Sequence, residues 1–185
     1  MTKQAVFADK NILHLGCGKN KVNGALGIDK LNLPQVDIQH DMDVLPWPLD
    51  DNNMDVVIAH SLIEHIDDLI GFFKEVWRIS KPGGRLIVVA PYFRCVDSFT
   101  DPTHKHFFTA RSLDYFLTEK NSLSDYEYTK INFKKVDFWY GYPHSKNVLS
   151  RYAKEFFKKN SYLYDQYISL FFPVKIVVWE LEVVK

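Results

Sequence analysis

Two glycines and an acid lay out the first chemistry in this chain. An apolar run, Ile12–Leu15, leads into Gly16-Cys17-Gly18, and a second run at 25–28 ends in Asp29. Backbone without side chains lets a ligand approach the main chain closely, and an acid at the end of the next strand accepts hydrogen bonds from ribose hydroxyls. Such a turn and acid hold an adenosine in α/β proteins. Further along, histidines gather. His60, Glu64 and His65 form H-x-x-x-E-H, and DPTHKHFFT at 101–109 carries His104 and His106. Imidazole titrates near neutral pH, which makes His65, His104 and His60 candidate general bases. Structural readings stand beside these: Glu64 and His65 as a hydrogen-bonded brace at a strand-to-helix corner, and His104 as the organiser of a long loop. If residues 60–65 turn helically, His60 and Glu64 share a face. The ligand types allow a divalent ion. Neighbours on one helix rarely chelate the same ion, however, and no metal-specific spacing is present, so no metal is expected.

The elements that must position these residues follow from apolar patterning. Strands are expected at Ile12–Leu15, 25–28, 36–38, 54–59 and 86–90, each short and rich in buried residue types. The connection at 19–24, KNKVNG, is polar and too short for a crossover helix. A helix is expected after Asp67 as N-cap, with Ile66, Leu69, Ile70, Phe73, Val76 and Trp77 on one face and Pro82-Gly83-Gly84 as its stop. Thr109 would cap another, with Leu113, Phe116 and Leu117 inward. Residues 126–139 and 174–184 read as the last two strands, a pair that need not be parallel. Strands alternating with helices predict an α/β fold: a Rossmann-like three-layer sandwich with a mostly parallel seven-stranded sheet and a helical insert before the last strand.

LHLGCG, GALGID, DMDVLPWPLDDNNMDVVIAHSLIEHIDD and KPGGRLIVVAPY follow one another in an order that resembles the class I S-adenosylmethionine-dependent methyltransferases. The likeness covers about residues 11–117 and is greatest to the small single-domain group of methyltransferase types 11 and 23. It implies S-adenosylmethionine as cofactor and S-adenosylhomocysteine as product. Residue by residue, it implies that backbone at Leu15, Gly16, Cys17 and Gly18 meets the methionine part and that Asp29 takes both ribose hydroxyls. Lys30 and Leu31 would lie beside the adenine, Asp41 would accept from its amino group, and Met42 would cover a ring face. His60 and Ser61 would lie near the sulfonium. Related methyltransferases also carry a D-P-x-H-x-x-x-F-T segment, here Asp101, Pro102, His104, Phe108 and Thr109. Two departures stand out: His14 occupies a position where the family usually has an acid, and the 19–24 loop is compressed. A nicotinamide fingerprint would want a third glycine where Lys21 stands.

The implied activity is methyl transfer to oxygen or nitrogen of a small-molecule acceptor. The alternative is a non-catalytic module that binds the cofactor or its product, or a partner-binding scaffold. No N-P-P-Y-like tetrad follows the fourth strand, which speaks against amino-methylation of nucleobases and glutamine.

The 185 residues suit one domain over 1–185, with a helical cap or insert at about 145–172. Apolar residues at 46% and charged ones at 25% describe a globular chain, and a net charge of zero brings no general field for nucleic acid, so none is expected as partner. No apolar run reaches the roughly 18 residues of a membrane span, and MTKQAVFADK lacks a signal-peptide core. Cys17 and Cys95 lie far apart without redox or metal spacing and read as reduced thiols of a cytoplasmic protein. The insert carries two stripes, Leu149, Tyr152, Ala153, Phe156 and then Leu163, Tyr164, Tyr167, Ile168, Phe171. Lys146, Arg151, Lys154, Lys158 and Lys159 stand there against Glu155 and Asp165. It reads as a packed cap, an acceptor wall, a membrane-surface contact or a homodimer surface. With Tyr92, Phe93, Phe99, Phe107 and Phe108 it points to an acceptor with an apolar or aromatic part.

Overall fold

The structure, a computed structural model, describes residues 10–118, 129–142 and 148–185. Expectations for the first nine residues, for 126–128, for Lys146 and for the side chains of Leu149 and Arg151 lie outside those described. Strands β1 (Ile12–Leu15), β2 (Leu26–Asp29), β3 (Ile38–Gln39) and β4 (Met54–His60) follow one another with no helix between them, helix α1 (Leu69–Ile79) leads into β5 (Ser80–Pro91), and the four-residue α2 (Asp97–Thr100) follows it. Then come β6 (Asn132–Tyr140), α3 (Val148–Lys159), α4 (Ser161–Gln166) and β7 (Ile176–Val184). One seven-stranded sheet runs β3-β2-β1-β4-β5-β7-β6. The pairs from β3 to β5 are parallel, and β7 is antiparallel to both β5 and β6. This is the mostly parallel α/β sheet expected, with the helical insert before the last strand. Among the described residues no helix is long and apolar enough to cross a membrane.

The β1–β2 connection shows how a parallel pair forms without a crossover helix. Val22 N–H donates to His14 Nδ1 at 3.2 Å, and Cys17 N–H to the Ile28 carbonyl at 3.3 Å. Asp37 accepts from Gly27 N–H at 2.6 Å and pairs with Lys21 at 2.7 Å. Side chains therefore satisfy backbone groups that a helix would have paired internally. His14, buried at 5% exposure, holds the compressed loop, which is a structural reason for a histidine at that position.

Three local expectations change. The cap of α1 is Asp68 rather than Asp67: Asp68 Oδ1 accepts from Gly71 N–H at 2.9 Å, while Asp67 pairs with Lys105 at 2.7 Å. The helix stops at Ile79, before the Pro-Gly-Gly signal, because Asn52 and Asn53 N–H groups take the carbonyls of Arg78 and Ile79, and Ser80 turns extended into β5. The helix expected after Thr109 is a set of turns with one 3-10 turn at Asp114–Phe116. Thr118 N–H bonds to the Phe133 carbonyl there and draws the chain into the sheet. Leu113, Phe116 and Leu117 are buried as expected.

The sheet's two faces are unequal. Leu13, Leu15, Val57, Ala59, Leu86 and Val88 join Phe72, Phe73, Val76 and Ile79 of α1 in the main core. The other face holds a small cluster of Ile12, Ala25 and Val56 with Ile58 and Ile87 against it. The insert docks on the main core through Tyr164, whose ring lies 4.2 Å from Tyr140 between centroids. Asp165 Oδ1 accepts from both Tyr92 and Tyr140 hydroxyls. The stripe on α3 faces out at Tyr152 and Phe156, and Phe157 packs inward instead.

Candidate functional site

The carboxyl ends of β1, β2 and β4 place the glycine turn and the acid side by side. Gly16 and Gly18 adopt φ of +59° and +47°, the left-handed region. A Cβ on Gly16 would lie 2.8 Å from Leu62 Cδ1, so only glycine leaves the turn its space. Asp29, buried at the end of β2, accepts from Gly18 N–H through Oδ2 at 2.8 Å and from Leu31 N–H through Oδ1 at 2.9 Å. A cavity of about 300 Å³ opens there, with Gly16, Asp29, Leu31, Asp41, Met42 and Ser61 on its wall and Lys30 at its edge. Leu31 is exposed and Met42 is buried, so an apolar surface lies at two depths beside the acid. The Leu15 side chain is fully buried in the core, which leaves its backbone as the part that can face a ligand.

A second cavity, about 470 Å³, continues over the turn along His14, Cys17, Gly18, Asn20, His60 and Ser61. Burial pushes the Cys17 thiol up, consistent with an inert structural cysteine. His60 Nε2 bonds to the Tyr142 hydroxyl at 2.9 Å, and burial lowers its pKa.

The corner after β4 is not helical. Ser61 sits at φ +50°, its N–H donating to the Val89 carbonyl at 2.8 Å, and His65 N–H closes a turn on the Leu62 carbonyl at 2.9 Å. His60 and Glu64 consequently line different cavities, not one helical face. Glu64 is 1% exposed, and neither carboxylate oxygen has a hydrogen-bond partner, so the brace reading fails. Burial raises its pKa to about 7. Residues 101–109 come in as expected. Lys105 and His106 N–H donate to the Glu64 carbonyl at 2.7 and 3.3 Å, and the His104 and His65 rings stand 4.8 Å apart, edge on. A third cavity, about 580 Å³, lies between Glu64, His65, Pro91, Asp97, Asp101 and His104.

Hydrogen bonds fix both imidazole tautomers. The Ser98 carbonyl can only accept, so His104 Nδ1, 2.9 Å away, carries the proton. Thr103 Oγ1 gives its single proton to Asp101 at 2.7 Å and must accept from His65 Nδ1–H at 2.9 Å. Each ring keeps a lone pair at Nε2. Burial, then the His104 neighbour, lowers the His65 pKa. Thr103 was the residue missed. Its signal was the D-P-T run, which here forms an Asx turn with Thr103 N–H on Asp101 Oδ1 at 2.8 Å. The expected aromatic wall is divided: Tyr92 and Phe108 belong to the core, while Phe99 and Phe107 are exposed and stack at 4.7 Å.

Ser61 borders all three cavities. What meets there is a pocket walled by Asp29, Leu31 and Met42, a slot over the glycine turn, and a chamber with histidines.

Known proteins agree with that geometry. The family model of a methyltransferase domain matches residues 21–88. A probable S-adenosylmethionine-dependent methyltransferase of Mycolicibacterium smegmatis is 30% identical across 45% of this chain and 39% of its own length. The ubiquinone/menaquinone biosynthesis C-methyltransferase of Haemophilus ducreyi is 31% identical across 48% of this chain and 32% of its own. The matched stretch thus spans about a third of these relatives. Among solved structures, an S-adenosylmethionine-dependent methyltransferase from Archaeoglobus fulgidus superposes with a TM-score of 0.57 at 15% identity, over 94% of this chain and 86% of that one. At such identity the likeness speaks for the fold alone.

Proposed function

We propose that this chain is a class I S-adenosylmethionine-dependent methyltransferase and that it transfers a methyl group to oxygen or nitrogen of a small-molecule acceptor. The observation that carries this reading is the meeting of three cavities at Ser61. Bound S-adenosylmethionine supplies an already activated methyl group, so the protein's work is to bind, align and take up a proton.

The residues present fit that cofactor. The Gly16–Gly18 turn leaves a cradle that a Cβ would fill, and Asp29 is held in place for ribose hydroxyls by two backbone N–H groups. Lys30, Leu31, Asp41 and Met42 would surround the adenine, and Cys17, His60 and Ser61 would line the methionine end. In the third cavity the acceptor's nucleophilic atom would lie beside His65 and His104, whose Nε2 lone pairs can accept its proton. His60, bound to Tyr142, would serve at the methionine end. The chamber's Glu64, His65, Asp101 and His104 suit the reacting group, and the exposed Phe99–Phe107 stack on the same loop suits an apolar or aromatic remainder. Exposed rings of the insert, among them Tyr152, Tyr162 and Phe171, support self-association through that face.

Calorimetric titration with S-adenosylmethionine and S-adenosylhomocysteine tests the reading. Micromolar binding of both, about −8 kcal/mol, is expected. Asp29→Ala should weaken it by about 2 kcal/mol, roughly 30-fold. Formation of S-adenosylhomocysteine with hydroxylated or amine-bearing aromatic acceptors would then mark the enzyme. Absence of binding in the wild type overturns the reading.

A further inference from the structure

The Glu64 carboxylate is buried with both oxygens unpaired, a state that folded proteins rarely leave without a counter-ion. Its nearest titratable neighbours bring it no proton donor. His104 spends its N–H on the Ser98 carbonyl and His65 spends its own on Thr103, so both rings keep only lone pairs for the space around Glu64. One ligand atom from each of Glu64, His65 and His104 lies within 4.8 Å of the other two. Three electron-pair donors around one point, with neither imidazole turning an N–H toward the acid, make an arrangement that a cation completes. Sequence reasoning set a metal aside because no metal-specific spacing is present and because neighbours on one helix rarely chelate the same ion. Residues 62–65 form a turn instead, and the second objection lapses.

We propose that Glu64, His65 and His104 bind a divalent first-row transition-metal ion of the Fe²⁺-to-Zn²⁺ group in the chamber bordered by Ser61. Two imidazoles with one carboxylate suit borderline ions, whereas Mg²⁺ and Ca²⁺ favour oxygen-only sets. Three protein ligands leave coordination positions open. The bonds from Nδ1 to Ser98 and Thr103, the latter backed by Asp101, fix each ring's orientation as outer partners of ligating histidines do. An open position would face the cavity between Asp97, Thr100 and Asp101 and take an oxygen of the acceptor. In that role the ion would take the lone pairs that otherwise accept the acceptor's proton; the role rests on the methyl-transfer reading, and ion binding does not.

The test uses the untagged full chain, freed of metal by chelator and titrated with Zn²⁺ by calorimetry and with Co²⁺ by visible absorption and proton NMR. Expected are one ion per chain and two paramagnetically shifted, exchangeable imidazole N–H resonances in the Co²⁺ protein. Glu64→Gln and His104→Ala should each weaken binding at least tenfold, and His40→Gln, whose ring bonds to the Val44 carbonyl instead, should leave it unchanged. Absence of stoichiometric binding, or variants that bind as the wild type does, overturns the proposal. If either variant fails to fold, the resonance count decides: fewer than two shifted N–H signals overturns it. A wild type that binds S-adenosylmethionine but neither ion sinks the metal site alone. One that binds Zn²⁺ but not S-adenosylmethionine sinks the methyl-transfer reading alone.

Discussion

At the glycine-turn end of the site both carboxylate oxygens of Asp29 hold a backbone N–H, whereas at the histidine end neither oxygen of Glu64 holds anything. The two acids stand on either side of Ser61 and are both buried. Asp29 is held by partners two and eleven residues away in sequence, so its end of the site is complete as soon as β1 and β2 pair. The histidine end needs the turn at 62–65 to meet the loop at 97–106, and what meets there is acceptor against acceptor. One end is organised for itself, the other for something it binds. The unpaired acid lowers the stability of the unliganded fold, and such a loss is retained where a site has work to do.

Three substitutions would break or sharpen that contrast. The largest effect is expected of Gly16→Ala. A side chain at φ +59°, pressed against Leu62, costs about 1–2 kcal/mol of stability and should weaken S-adenosylmethionine binding by about tenfold. Zn²⁺ titration of the same variant should be unchanged; a parallel loss would mean that the two ends are one cooperative unit.

His14→Gln comes next. Burial, the neighbouring His60 and then the opposing attraction of Asp29 leave the His14 pKa below its ordinary 6.5. The unfolded chain therefore binds a proton first as pH falls, and the stability carried by neutral His14 is complete above about pH 6.5 and lost below it. Glutamine keeps an acceptor for Val22 N–H without titrating. Urea unfolding between pH 8 and pH 5 should show a shallower acid decline in the variant. An equal slope would show that the loop is not held through that imidazole.

Ser61→Gly is the smallest. Relief of φ +50° and the entropy of glycine oppose each other, leaving a gain of about 0.5 kcal/mol and a slightly higher melting temperature. A drop in stability would mean that the serine hydroxyl, rather than the backbone kink, holds the junction.

Legibility in the sequence followed the range of the interactions. Leu13, Leu15, Ile28 and Val57 announce buried strands because the apolar run itself carries the signal, and Gly16, Gly18 and Asp29 announce the cradle because a few neighbouring residues build it. Asp68 rather than Asp67 as cap was a matter of one residue, settled when Lys105 took the other acid. The 3-10 turn at Asp114–Phe116 was out of reach, since Phe133 draws the chain out of helix from a distant strand.

By itself the sequence determined the strands, the glycine turn, the acid that ends β2 and the loop bearing His104, all of them features of backbone preference and local pattern. Only the tertiary structure decided that β7 runs antiparallel beside β5, that His14 ties down a shortened connection, and that Glu64, His65 and His104 converge with their lone pairs unspent. A hydrogen-bond partner 38 residues away settled the His65 tautomer, and no local pattern encodes which partner a side chain will meet.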